Sequence, residues 1–326
     1  MSDGSPATDD RPGSDAPLDA ATVLLTGAHG TVGTAVTANS AVEYVLLDRE
    51  EPSAELGDGT PHPHRDRETV VRDVGDPDAP ASLAAVMDDR EVDAVVHLAG
   101  APAVSTPYES VERNNVRGTR NVLEAASRAG VDTVVFASSN HAVGMYEEQH
   151  APSLYDPDYD LTVDAESPLR PDSDYGASKV AGEAWCRLYA EREGIDCYAL
   201  RIGSVRDPTH DHPFGDAERA VARGDCERGD ETYGEAVARM RCTWLSRRDC
   251  AGLVDACLRD GLDSDADEGD GGGTDDLNPN TLAGGAFEIF YGISDNPNSW
   301  FDLEHARERV GYEPMDSGNE MSEPPE

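Results

Sequence analysis

The chain has 326 residues and carries 66 Asp and Glu against 26 Lys and Arg, a formal net charge of −40 with a pI near 4.3. A surface this acidic repels phosphate backbones and anionic headgroups, so neither nucleic acid nor a membrane is an expected partner. The apolar content supports an ordinary core, and no apolar run reaches the ~20 residues that span a bilayer. The first 20 residues read as a solvated acidic tail without the apolar segment of a secretion signal. From Thr22 a strand, glycine-turn, helix pattern begins. Thr22–Thr26, Glu43–Asp48, Thr69–Val74, Asp93–Gly100, Thr133–Ser139 and Asp196–Gly203 are continuous apolar runs, as in parallel strands covered on both faces. Helical stretches between them end in Gly130 and Gly194. The fold expected is α/β, a Rossmann-type doubly wound parallel sheet over residues 21–205. Residues 206–316 are expected to form a small substrate-binding cap, interrupted by polar loop insertions at 206–236 and 262–284, with 317–326 a disordered tail.

Glycines 27, 30 and 33 of TGAHGTVG follow the first strand directly, and Asp48 ends the second strand 21 residues after Gly27. This spacing predicts a dinucleotide site: a tight turn at Gly27, close approach of a pyrophosphate at Gly30, and helix packing at Gly33. A carboxylate at Asp48 suits the free ribose hydroxyls of NAD and repels a 2′-phosphate, although the neighbouring Arg49 suits one. Asp73 and Val74 are a candidate adenine contact.

Lys179 is the only lysine; the other 25 basic residues are arginine. An acid-rich, lysine-poor composition suits a cytoplasm at molar salt, where self-repulsion is screened. Lys179 follows Tyr175 by four residues, on one face of a helix. A free phenol, pKa ~10, is a poor base at neutral pH, and a nearby ammonium favours the phenolate. Ser139 ends the fifth strand, where ligands bind in such sheets, with Ser138 its rival. An anionic substrate group would need a guanidinium grip, for which Arg239, Arg201, Arg206 and Arg241 are candidates. The six cysteines show no metal or disulfide spacing and read as thiols of a reducing cytoplasm. His62/His64 and His210/His212 form H-x-H pairs without an evident third ligand, and His29 reads as facing solvent or phosphate, so no metal is expected. Met240, Trp244 and Trp300 read as packing.

T-G-x-x-G-x-x-G, Asp48, Asp73-Val74, HLAG at 97–100, Asn115 in NVRGT, Ser139 and Y-x-x-x-K together resemble an extended short-chain dehydrogenase/reductase of the NAD-dependent epimerase/dehydratase family. The resemblance implies Ser139, Tyr175, Lys179 and Asn115 as the catalytic set, with Asn115 holding a water near the lysine. It adds Thr31, Val32, Leu98, Ala99 and Gly100 to the cofactor contacts and implies a homodimer or higher oligomer. FASSNHAVG, YGASKVAGE, TWLSRRDCA and FYGISDN are similar to uronate dehydrogenases, and more so to haloarchaeal NAD-dependent glucose-6-phosphate dehydrogenases. That likeness implies sugar contacts at Asn140 and His141, Arg239 as the grip on the anionic group at C6, and oxidation of a sugar phosphate at C1 with NAD. Uronate oxidation is the close rival. A nucleotide-sugar epimerase would need a larger carboxyl-terminal domain, a dehydratase an Asp-Glu pair where Asn140-His141 stands, and an NAD-binding regulator no Tyr-Lys-Ser set.

Overall fold

The computed structural model describes residues 18–267 and 284–325. Seven parallel strands form one sheet in the order β3-β2-β1-β4-β5-β6-β7. They are β1 (Val23–Thr26), β2 (Tyr44–Asp48), β3 (Thr69–Val71), β4 (Ala94–His97), β5 (Thr133–Ser139), β6 (Asp196–Ile202) and β7 (Phe287–Gly292). Strands β1, β4 and β5 are buried along their whole length, as expected of apolar strands covered by helices on both faces. Helix α1 (Thr31–Asn39) lies on one face, and α2 (Ala79–Asp89) on the other.

The helix after β4 is built in three pieces: α3 (Tyr108–Val111), a π-helical turn (Glu112–Arg117) and α4 (Gly118–Ala129). Short α5 (Met145–His150) follows β5, and α6 (Asp174–Glu193) runs back along the sheet. Ser173 caps α6 by accepting from Gly176 N, and Gly194 ends it in the left-handed conformation. With α2, α4 and α6 on one face and α1 and α9 (Arg247–Asp267) on the other, the sheet is doubly wound. The order reverses at β1, between β2 and β4, so a crevice opens at the carboxyl ends of these strands.

Beyond residue 205 the structure departs from the sequence expectation. The stretch 206–236 is largely helical, with α7 (Gly215–Arg223) and most of α8 (Glu231–Thr243). Up to residue 237 this stretch buries little, chiefly Phe214, Ala217 and Val237, whereas the end of α8 is buried at Met240, Cys242 and Thr243. The expected loop at 262–284 begins inside α9; residues 268–283 lie outside the described residues. Strand β7, absent from the expectation, extends the sheet through β6, and α10 (Glu304–Val310) follows it. The chain after 205 is thus a cap (α7, α8) followed by a return to the sheet. Residues 317–325, expected as tail, dock: Gly318 N donates to Asn296 Oδ1 at 2.8 Å, and Met321 packs on the Phe214 cluster. At the other end Leu18 is buried against the core, while residues 1–17 lie outside the described residues. All six cysteines are free. Among the described residues no helix is long and apolar enough to cross a membrane.

Candidate active site

A cleft of about 1070 Å³ runs along the carboxyl edge of the sheet, bounded by the glycine turn at one end and by the cap at the other. Gly27 adopts φ +71°, and a Cβ there would stand 2.6 Å from Ala99 N. Only glycine fits this turn between β1 and α1. A Cβ at Gly33 would meet Ala28 O at 2.5 Å, which is why α1 can start so close to the strand. Gly30, Thr31 and Val32 line the cleft at the start of α1, where backbone N–H groups suit a phosphate. Asp48 lies at the end of β2 with Oδ2 accepting from His29 N at 3.0 Å and Oδ1 from Arg49 N at 2.7 Å. Leu98, Ala99 and Gly100 form the opposite wall beside Asp73 and Val74. Arg113 grips Asp73 at 2.8 and 3.2 Å, a partner the sequence did not reveal, and Gly75 N donates to the same carboxylate. Burial would raise the Asp73 pKa, but the Arg113 and Gly75 hydrogen bonds and the Arg113 charge hold it below the ordinary value. Glycines without side-chain bulk, a carboxylate at the second strand end and a long cleft fit a dinucleotide.

At the centre of the cleft β5 and α6 bring Ser139, Tyr175 and Lys179 together. Tyr175 sits in the first turn of α6; burial raises its phenol above the ordinary value, and a hydrogen bond from Ser139 partly offsets this. Lys179 is buried, its Nζ 5.7 Å from the Tyr175 ring centre and 5.1 Å from the Phe136 ring. Its ammonium donates to Ala137 O at 2.7 Å, and burial brings its pKa down to about 8. On sequence alone the ammonium's effect on the phenol comes first; in the folded chain desolvation of the phenol is the larger influence. Ser138, the rival hydroxyl, donates at 2.6 Å to Glu183, which pairs with fully buried Arg201 at 2.9 and 3.0 Å. Ser138 and Arg201 therefore hold α6 to the sheet and do not face the cleft as free groups.

Asn115, in the π-helical turn, donates to Ala101 O and Ser178 Oγ and accepts from Ala101 N. Both its amide hydrogens are committed to tying the loop after β4 to α6. Asn140 is buried beside Ser139, and His141 pairs through Nδ1 with Asp172 Oδ2 at 2.6 Å, its ring edge-on to Tyr175 at 5.8 Å. Arg239, on α8, lines the cleft but is paired with Glu147 of α5 at 2.5 and 3.1 Å; Tyr155 donates to the same carboxylate. Arg206 also lines the cleft and pairs with Asp216. Arg219, not singled out in the sequence, joins them at 3.7 Å from Asp216. Arg241 points elsewhere, to Met321 O and the Phe214 ring. This end of the cleft thus gathers three guanidinium groups, with Glu147 and Asp216 paired to them and Asp207 lining the cleft beside Arg206.

His29, expected to face solvent or phosphate, lies against both rings of the H-x-H pair at 62–64. A contact between residues separated by more than thirty positions leaves no spacing signal.

Residues 23–237 match the model of the NAD dependent epimerase/dehydratase family. An NAD-dependent glucose-6-phosphate dehydrogenase of Haloferax volcanii is 36% identical over 303 residues, covering 92% of this chain and 95% of that protein. A uronate dehydrogenase of Pseudomonas syringae pv. tomato is 31% identical, covering 90% and 82%. The solved structure of a glucuronic acid dehydrogenase from Chromohalobacter salexigens superimposes with a TM-score of 0.61 at 27% identity, over 92% of this chain and 86% of that one. The glycine turn, the Asp48 strand end and the Tyr-Lys-Ser centre are therefore those of a chain that belongs to the NAD-dependent epimerase/dehydratase family and is an NAD-dependent sugar dehydrogenase.

Proposed function

We propose that this chain oxidises glucose 6-phosphate at C1 to 6-phosphogluconolactone. The observation that carries this reading is the cluster of Arg206, Arg219 and Arg239 at one end of the cleft that holds Ser139 and Tyr175. A phosphate dianion approaching a chain of charge −40 needs a local excess of cations, and guanidinium groups bind it bidentately. The Haloferax relative, by its name, acts on this sugar phosphate.

In this reading the pyranose lies with its C1 hydroxyl between Ser139 and Tyr175 and its phosphate toward Arg239. Ser139 orients the hydroxyl oxygen. Tyr175 takes the hydroxyl proton as the C1–H bond breaks and the C1 carbonyl forms. Lys179, held by Ala137 O, keeps a positive charge beside the phenol and so favours its ionised form. His141, oriented by Asp172, and Asn140 contact ring hydroxyls. Asn115 positions α6 through Ser178. Glycines 27, 30 and 33, Thr31, Val32, Asp48, Asp73, Val74 and the Leu98–Gly100 wall would hold NAD, which when bound supplies the hydride acceptor and a positively charged ring.

Uronate oxidation is the second reading, because a single guanidinium paired with Glu147 suits a monovalent carboxylate as well. NADH formation in molar KCl with glucose 6-phosphate, glucose and glucuronate side by side separates the two. Turnover of glucose 6-phosphate far above that of glucuronate is expected. Turnover of glucuronate alone assigns the chain to uronate oxidation.

A further inference from the structure

Beneath the cofactor turn, His29 of the glycine loop meets His62 and His64 of the segment joining β2 to β3. Ring centres are 5.3, 5.4 and 5.3 Å apart, and one nitrogen from each ring falls within 4.8 Å of the others. His62 and His64 are 2% and 1% exposed, whereas His29 is partly open and lines the cleft.

The outer nitrogens of two rings are occupied by hydroxyls. Thr69 Oγ1 lies 3.1 Å from His29 Nε2, and Thr37 Oγ1 lies 2.7 Å from His64 Nε2. The inner nitrogens, Nδ1 of His29 and Nδ1 of His64, then face each other at 3.2 Å. If both threonines accept, two lone pairs point at one another. A proton between them would create an imidazolium in a site from which water is largely excluded, which burial disfavours. A cation between them removes the conflict. Two nitrogens bound at about 2.0–2.1 Å to one tetrahedral zinc stand about 3.3–3.4 Å apart, close to the separation seen here. His62 is engaged at both nitrogens, Nδ1 accepting from His64 N at 3.1 Å and Nε2 donating to His29 O at 3.3 Å, so it becomes a ligand by turning Nδ1 from His64 N while the Nε2 bond holds the ring.

We propose that His29, His62 and His64 form a binding site for one divalent transition-metal ion of the zinc class. Three neutral imidazoles suit zinc, cobalt, nickel or copper, and not magnesium or calcium, which take oxygen ligands. The two threonines act as the outer partners that fix ring orientation in such sites. The ion ties the β2–β3 segment to the glycine turn. Because His29 N also donates to Asp48 Oδ2, it steadies the carboxylate expected to receive the cofactor ribose. The metal is structural and lies outside the chemistry at Tyr175.

The test uses the full chain without a polyhistidine tag, stripped with chelator and dialysed into molar KCl. Co²⁺ is titrated and its visible ligand-field absorption followed, with Zn²⁺ competition and metal content after desalting as second readouts. One equivalent bound, a four-coordinate cobalt spectrum and a rise in Tm of roughly 5 °C at saturating Zn²⁺ are expected. His64→Ala and His62→Gln should each weaken binding at least tenfold, with retained circular dichroism showing that they fold. His150→Ala, at a half-buried histidine paired with Tyr159 and remote in sequence from the cluster, should change nothing. Binding below one equivalent in the parent chain, or unchanged binding in folded His64→Ala and His62→Gln, means that the three rings form only a closed hydrogen-bonded triad and overturns the proposal.

Discussion

Tyr175 and Lys179 oppose each other energetically before any ligand arrives. Burial raises the phenol, while the Lys179 ammonium, 5.7 Å from the Tyr175 ring centre, favours its ionised form. The acid limb of the kcat profile should therefore report the phenol. Lys179→Met removes the positive charge, raises the phenol pKa and moves that limb to higher pH. Tyr175→Phe should lose roughly 10²–10⁴-fold in kcat with cofactor affinity, measured by fluorescence titration, little changed. An acid limb that stays in place in Lys179→Met would detach the lysine from the proton transfer. Arg239 presents a second residue-scale competition, because Glu147 occupies the guanidinium that the substrate anion is expected to use. Arg239→Ala should raise KM for glucose 6-phosphate roughly 10- to 100-fold while leaving the KM for glucose nearly unchanged. Glu147→Gln should act in the opposite sense, lowering KM for the phosphate and lowering Tm until phosphate is added.

The reacting side chains owe their positions to how closely α6 approaches β5. Gly182 makes this approach possible: a Cβ there would run into the Phe136 ring. That ring is buried, stacks on His97 and lies under Lys179, so it has nowhere to retreat. Gly182→Ala should cost about 1–3 kcal/mol of stability by denaturant unfolding. It should also lower kcat more than it raises KM, since it displaces Tyr175 and Lys179 together. An undiminished kcat would show that the spacing of α6 is not critical. The same element explains what could be read from the chain. The Tyr175–Lys179 spacing, the glycine turn and six apolar strands are local patterns, and all are present, although β3 ends at Val71, short of the expected Val74, and is partly exposed. Strand β7 was missed because it is an edge strand whose first half is only partly buried. Helices α7 and α8 looked like loop because their polar residues cover little core and instead deliver Arg219 and Arg239 to the cleft. The Glu147–Arg239, Arg113–Asp73 and His29–His64 contacts join residues 92, 40 and 35 positions apart, where no periodicity operates.

Across the whole molecule, charge outweighs every local contact. Sixty-six carboxylates face 26 cations, and most arginines are already committed to exposed or half-exposed pairs such as Arg128–Glu124, Arg228–Glu218 and Arg248–Asp316. Such pairs are worth about 0–1 kcal/mol each and weaken with salt. The excess of some 40 negative charges has no partner within the chain, and its repulsion also weakens with salt. Two effects of opposite sign therefore compete as ionic strength rises, and the larger unpaired excess decides the outcome. With the Debye length shrinking from ~10 Å at 0.1 M to ~3 Å at 1 M, most of the repulsion is gone by about 1 M. Tm should rise steeply between about 0.1 and 1 M KCl and flatten above that, since screening saturates. A Tm still climbing in proportion to salt through several molar would point instead to strengthened apolar burial, the expected signature of excluded cosolutes. Sucrose at matched osmolality distinguishes the two: it strengthens burial but screens nothing, so it should recover only a small part of the KCl effect. A Tm independent of KCl below 1 M would mean that the acidic surface exerts no net repulsion in the folded chain.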